Sequence, residues 1–198
     1  MKRLGLAIIV LIAIIGFAAA DYFVNAPLEQ TPKITADLPA DSYTNITQML
    51  INSNPGQFNY LIAKRDRTKQ IFDKFDMSSL EETIIFKNVL KKIGSEDITD
   101  QIVIYEIQGP QNQGKITYLN LKLKVIDQKD ITGSINEVSG YGYNSFFYND
   151  LNNKNTGFLL TQIKDNLFGF QYNKKEDGGN FETVKIMVDA LKSLNLLT

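Results

Sequence analysis

The most unusual local composition in this chain is an aromatic segment, residues 141–148, in which five of eight positions are aromatic. These five are Tyr141, Tyr143, Phe146, Phe147 and Tyr148. Gly142 stands between two of them and permits a loop. Aromatic rings on a loop can stack on sugars, flat ligands or partner chains, and tyrosine hydroxyls can orient what is bound. The alternative is that alternate rings fill a core while the others cover a sheet edge.

Acidic residues form a second set of candidates. They are Glu96, Asp97, Asp100 and Asp150. Two carboxylates can hydrolyse a glycosidic bond when a cleft holds them at a defined separation, so this set supports a hydrolase hypothesis. The segment 149–157 is also rich in side-chain oxygens, but Lys154 stands where a calcium-binding loop needs an oxygen ligand. We therefore expect a turn-rich connection there.

The residue types that are missing exclude most common catalytic and metal-binding chemistry. The chain has no histidine and no cysteine, which removes imidazole-assisted and thiolate catalysis, disulfides, and metal sites built on sulfur or imidazole. It also lacks tryptophan, the usual stacking residue of sugar-binding grooves. We find no phosphate-binding glycine loop and no dinucleotide fingerprint. The sequence thus predicts no cofactor and no metal, and it favours a protein that is not an enzyme.

The charge distribution argues against a nucleic-acid partner. The formal net charge is −1, whereas nucleic-acid binding needs a clustered basic face. Beyond the N-terminus the one basic concentration is the segment 64–69, which could contact an anion or a lipid headgroup. Because Asp66 and Asp73 are close by in the sequence, we interpret this segment instead as a solvated helix face.

An uncharged apolar run, Leu4–Ala20, follows Lys2 and Arg3 at the N-terminus. As a signal peptide it has a charged start, an apolar core and a small-residue ending at residues 18–20. As a single-pass anchor it is slightly short of the ~20 residues that span a bilayer. Both alternatives keep the N-terminus in the cytoplasm and place the remainder outside it, anchored to the cell membrane or secreted. We assign residues 1–24 to this leader, residues 25–41 to a proline-containing tether, and residues 42–198 to one domain.

Helical patterns dominate the first half of that domain. The predicted helices are Ser42–Ser53, Phe58–Phe75, and a third from Ser78 to Ile93. The third begins with two overlapping capping boxes, Ser78 with Glu81 and Ser79 with Glu82. It ends at Gly94, a residue that readily adopts the left-handed conformation of a helix stop.

Alternating patterns predict strands in the second half. The predicted strands are Gln101–Gln108, Lys115–Asp127, one within Thr132–Tyr141, Phe158–Lys164 and Leu167–Asn173. Residues 146–148 either start a further strand or belong to a loop. Gly109–Gly114 is expected to join the first two as a hairpin, and Asp165-Asn166 suits a tight turn between the last two. A last helix, capped by Asn180, has its apolar residues on one stripe.

These elements predict an α+β fold, in which an antiparallel meander of about five strands is covered on one face by the N-terminal helices and the C-terminal helix. The function we favour is a non-catalytic extracytoplasmic binding or assembly module, membrane-anchored or secreted, that acts through the aromatic segment. Its partners would be the membrane, through an uncleaved Leu4–Ala20, and a protein or small ligand. Two alternatives remain: a small-ligand carrier with a pocket between sheet and helices, and a carboxylate-dependent hydrolase.

Overall fold

The computed structural model describes most of the chain from Tyr43 onward. The described ranges are 43–54, 56–80, 83–108, 114–127, 133–137, 145–150, 152–163 and 166–194. The predicted leader and tether lie outside these ranges, as do Tyr141 and Tyr143 of the aromatic segment.

Helices and strands alternate irregularly along the described residues. The helices are α1 (Ile46–Ser53), α2 (Gly114–Asp127) and α3 (Gly179–Ser193), with a 3-10 turn at Ile98–Asp100. The strands are β1 (Tyr60–Thr68), β2 (Gln70–Ile71), β3 (Phe75–Asp76), β4 (Ile84–Lys92), β5 (Ile102–Gln108), β6 (Gly133–Glu137), β7 (Ser145–Asp150), β8 (Thr156–Ile163) and β9 (Asn166–Asn173).

Seven of these strands form one antiparallel sheet in the order β1-β4-β5-β9-β8-β7-β6, while β2 and β3 pair separately as a small hairpin. The α+β class expected from the sequence is therefore confirmed. The sheet is wider than the five strands predicted, because two segments interpreted as helices are strands.

Those two segments, Phe58–Phe75 and Ser78–Ile93, contain β1 and β4. The two strands are joined by eight residue pairs, so the helix predictions were wrong. In β4 the consecutive residues Ile84, Ile85 and Phe86 are all buried, because both faces of the strand are covered. A strand covered on both faces has a continuous apolar run, which periodicity alone cannot distinguish from a buried helix.

The residues expected to start and stop the third helix have other roles. The amide and the hydroxyl of Ser78 both donate to Oδ1 of Asp76, at 2.9 and 2.6 Å, and close a turn after β3. Gly94 does adopt a positive φ, +79°, but it turns the chain at the end of β4. The capping signal was therefore a side-chain-stabilised turn, which uses the same residue types as a helix cap.

The segment Lys115–Asp127, predicted as a strand, is helix α2, and the predicted hairpin before it is a strand-to-helix connection. Apolar residues lie on both sides of this helix. Tyr118 and Leu121 are buried, whereas Leu119 and Leu123 are half exposed. Apolar residues on opposite sides of a helix can alternate along the sequence, which imitates the period of a strand.

Both faces of the sheet are covered. The N-terminal helix α1 and the C-terminal helix α3 share one face, as predicted, but α2, which was predicted as a strand, covers the other face. Helices α1 and α3 pack on the first face, against residues that include Leu159 and Phe170. Helix α2 and the β2–β3 hairpin pack on the second face, against residues that include Leu160 and Leu167. Leu159 and Leu160 are neighbours on β8 and point to opposite faces, as successive strand residues do.

The β2–β3 hairpin covers the second face with a strained aromatic turn. Phe72 has a φ of +57° and Asp73 a φ of +53°, a conformation that is uncommon for bulky residues. The Phe72 ring is buried and lies over Gly169 of β9, where an added Cβ would stand 3.1 Å from its Cε1 atom. Packing against the sheet offsets the strain of the turn.

The last two strands and the last helix are confirmed with small shifts. Ile163 pairs with Asn166 across the β8–β9 hairpin, so the connection is one residue earlier than predicted. Gly178, with a φ of +72°, stands at the N-cap of α3 in place of Asn180. The Asn180 side chain instead donates to the carbonyl of Asn173 at 3.0 Å and ties the helix to β9.

Candidate functional site

The described members of the aromatic segment, Phe146, Phe147 and Tyr148, do not lie together on one surface. Phe146 and Tyr148 are buried in the second face of the sheet, with at most 1% of each exposed. Phe147, between them on β7, points to the first face, where its ring lies 5.7 Å from that of Phe181. Two of the five predicted binding residues are therefore core residues, and one is partly buried. The remaining two, Tyr141 and Tyr143, lie outside the described residues.

Two of the acidic candidates, Asp97 and Asp100, lie on the 3-10 turn before β5. Asp100 accepts hydrogen bonds from Lys175 and from the Ser95 hydroxyl, and these two bonds hold the pKa of its carboxyl below the usual range. The hydroxyl and the amide of Thr99 likewise lower the pKa of Asp97. Both side chains are thus held as carboxylates, which suits an ion-pair network and not a general acid.

The other two acidic candidates belong to separate ion pairs. Glu96 is almost fully exposed and pairs with Lys91 at 3.2 Å. Asp150 accepts from Nζ of Lys74 at 3.0 Å, and the same ammonium group donates to the Tyr148 hydroxyl at 3.2 Å. Burial raises the pKa of Asp150, but the hydrogen bonds from Lys74 and nearby amides outweigh it and lower the pKa overall. Asp150 is thus held in a partly buried ion pair, whereas Glu96 forms an exposed salt bridge.

The most polar buried site lies elsewhere, on the first face of the sheet. Glu106 of β5 and Asn88 of β4 are both fully buried. Nη1 of Arg65, on β1, donates to Oδ1 of Asn88 at 2.9 Å and to Oε2 of Glu106 at 3.1 Å. The guanidinium also lies 4.0 Å from the centroid of the Phe86 ring. A buried charge is tolerated when it is paired and hydrogen-bonded in this way.

This polar site binds the chain where it enters the domain, just before and within the first turn of α1. Glu106 Oε1 accepts the backbone N–H of Thr47. Arg65 donates to Oδ1 of Asn45 at 2.9 Å, and Gln108 donates from Nε2 to the carbonyl of Thr44 at 2.9 Å. We call Arg65, Asn88, Glu106 and Gln108 the N-terminal clamp.

A β-bulge selects the side chain that enters the clamp. Ile62 pairs with Leu90, but Lys64 pairs with Val89, so β1 contains one extra residue between them. The shift places Arg65 opposite Asn88, whereas an uninterrupted register would place Lys64 there. Bulges commonly re-aim a side chain in this way. Arginine suits the position because its planar guanidinium can donate to several acceptors at once.

Sequence reasoning missed the clamp because it placed Arg65 on a solvated helix face. The available signal was Glu106, a single carboxylate within the otherwise largely apolar strand Ile102–Gln108. A charged residue in a buried strand requires a partner of opposite charge. Its partner could not be identified without the pairing of β1 with β4, a contact distant in sequence.

Two further surface features accompany the clamp. A groove of about 540 Å³ lies between α1 and α3, and its lining includes Asn54, Gln57, Ile186 and Asp189. It separates two helices, so it is not the predicted pocket between sheet and helices. The second feature is a row of three exposed apolar residues on α2, Leu119, Leu123 and Ile126, which we call the α2 stripe.

Comparisons of the chain with protein-family models, with curated proteins and with solved structures found no match. Within the described ranges, no helix has the length and apolar character needed to cross a bilayer. Nor do the described residues contain a group of three or more acidic, histidine or cysteine side chains suited to a metal ion.

Proposed function

We propose that this protein is a non-catalytic extracytoplasmic module that is held at the membrane, or released from it, and binds a partner. Export is supported by the apolar run Leu4–Ala20 behind Lys2 and Arg3, a pattern shared by signal peptides and single-pass anchors. A non-catalytic role is supported by the acidic candidates, because Asp97, Asp100 and Asp150 have lowered pKa values and accept hydrogen bonds or ion pairs.

The observation that carries this proposal is the N-terminal clamp. A domain displayed from a membrane is held through its first residues, and frayed ends are the least stable part of most domains. Here the entering segment is bound by Arg65 and Glu106, and the Glu106 side chain is fully buried. The first described residues of the domain are therefore fixed to strands of the sheet, which suits a module held through its N-terminus.

We restrict the proposed binding surface to residues of the aromatic segment that are not fully buried. Phe146 and Tyr148 are buried, so we leave them out of it. Phe147 remains a candidate, together with Tyr141 and Tyr143. A photoreactive residue at position 143 should form one discrete crosslinked species in cells, and Phe147→Ala should weaken it. Unchanged crosslinking in Phe147→Ala, or no crosslinked species at all, would remove this surface from the proposal.

The experiment that tests export is fractionation of cells producing the full chain, followed by N-terminal sequencing. If the leader is retained, we expect the intact chain in alkali-washed membranes. If it is cleaved, we expect a chain beginning near Asp21 outside the cytoplasm. Ile12→Arg serves as the matched control, because a charge at the centre of the apolar run costs about 3 kcal/mol in a membrane and should block both outcomes. An intact chain that stays in the cytosol, as the control does, would contradict the proposal.

A further inference from the structure

Helix α2 presents apolar side chains to the surface at helical spacing. Leu119, Leu123 and Ile126 are 44%, 56% and 58% exposed, and their i, i+4, i+7 spacing places them on one side of the helix. Single exposed leucines are ordinary on protein surfaces. Three in one row form a continuous apolar patch, and such patches are often sites of protein or membrane contact.

The charge on α2 indicates which partner fits the stripe. Helix α2 contains three lysines and one aspartate, a net charge of +2, whereas the whole chain has −1. Lys122 stands three residues after Leu119 and four before Ile126, so it lies on the same side as the stripe. A row of apolar residues beside lysines is the pattern of helices that lie in the interface of an anionic bilayer.

We propose that the α2 stripe lies on the bilayer that anchors the protein, with Lys122 at the level of the anionic headgroups. This inference rests on the proposed function, because it needs the domain to be close to a membrane. The stripe would enter the boundary between headgroups and acyl chains without spanning the bilayer. Lysine side chains can extend along an apolar surface while the ammonium group reaches polar surroundings.

The length of the tether makes such a contact accessible. Residues 21–42 separate the apolar run from the first described residue, and a chain of that length can reach at most roughly 75 Å. The clamp binds the entering chain at Gln108, and five residues separate Gln108 from the start of α2. A tethered surface meets its target at high effective concentration, so a weak contact suffices.

A second copy of the chain fits the stripe less well than a bilayer does. The exposed fractions of the three side chains correspond to roughly 300 Å² of apolar surface, whereas a stable protein interface buries about 800 Å² on each partner. A tethered bilayer contact has no such requirement, because the leader supplies the attachment.

The absence of cysteine from the chain permits a direct test. Leu123→Cys provides a unique site on the stripe for a polarity-sensitive fluorophore, and Glu182→Cys provides a control site on α3, across the sheet. The labelled full chains are reconstituted with phosphatidylcholine vesicles, with or without phosphatidylglycerol, that carry a lipid-bound quencher. We expect a blue shift and strong quenching at position 123, greatest with phosphatidylglycerol, and neither effect at position 182.

Lys122→Gln should remove the difference between the two vesicle compositions without changing the circular dichroism spectrum. Absence of quenching at position 123 would overturn the inference, and so would a blue shift without quenching, which would point to a second protein copy. Flotation of the vesicles reports the leader separately. If the protein does not float, retention by the leader fails, and quenching with added vesicles still decides whether α2 contacts lipid.

Discussion

Replacing Arg65 by methionine should destabilise the domain by about 3 kcal/mol. Removal of one partner from a buried ion pair costs about 3–5 kcal/mol, because the remaining charge stays buried without compensation. We expect the lower end of this range, because 16% of the Arg65 side chain is exposed and water can therefore partly reach the site. Methionine retains much of the apolar contact with Phe86, so the loss reports mainly the polar interactions of the clamp.

The assay is urea unfolding of the fragment 21–198, which lacks the apolar leader, followed by circular dichroism. Lys64→Met is the matched control, because Lys64 is the preceding residue of β1 and pairs with Asp66 in an exposed salt bridge at 2.7 Å. Such pairs contribute at most about 1 kcal/mol. Hydrogen exchange at Thr47 should accelerate only in Arg65→Met. Equal effects of the two substitutions, or an unchanged Thr47 amide, would refute the clamp.

Three other predictions follow from the packing and the ion pairs. Gly157→Ala should lower the free energy of unfolding by about 2 kcal/mol in the same urea assay, because the new Cβ would stand 2.4 Å from the buried ring of Tyr172. An unchanged free energy of unfolding would contradict this close contact between Gly157 and Tyr172. The free energy of unfolding should fall on acidification from about pH 5 to about pH 3. A hydrogen bond from Lys175 is the main cause of the lowered pKa of Asp100 in the folded protein. The unfolded chain therefore binds more protons than the folded protein in this range, which favours unfolding. Asp100→Asn should lose less stability over the same range, and identical pH profiles would exclude this origin. Leu121→Ala should lower the free energy of unfolding by about 2–5 kcal/mol, and Leu123→Ala by less than about 0.5 kcal/mol. If this segment were a strand, both residues would lie on one face and the two losses would be similar.

The elements that were predicted correctly have one buried face or a strong local turn. Helix α3 has its apolar residues on one stripe, and β8 and β9 are joined by a two-residue turn signal. Helix α1 ends in a polar segment, where its C-cap is Asn54. In these elements the local pattern and the tertiary environment agree, so periodicity identifies them.

Two of the elements that were predicted wrongly, β4 and α2, are apolar on two sides. Strand β4 is buried on both faces, and its sequence pattern is typical of a helix. Helix α2 has the α2 stripe on its outer side, and its sequence pattern is typical of a strand. In both elements, the second apolar side is explained by the surroundings of the element in the folded protein, which the local sequence pattern does not show. The stripe is itself an exception to the rule that the surface of a helix is polar, and such exceptions are expected at functional surfaces.

The clamp could not be predicted for a different reason. Its geometry depends on the bulge between Ile62 and Lys64 and on the pairing of β1 with β4 and of β4 with β5. A one-residue change of register reverses which side chains face the core, so Arg65 enters the site only in the observed pairing. Similarly, the two buried aromatic residues of the aromatic segment are determined by the register of β7 against β8.

Thiol labelling of intact cells can show whether the domain lies outside the cytoplasmic membrane. Glu182→Cys places a unique thiol on the exposed side of α3, and a maleimide that cannot cross membranes is added to intact protoplasts that retain the protein. We expect labelling before lysis to the same extent as after lysis. Labelling that occurs only after lysis would place the domain in the cytoplasm and refute the proposed export.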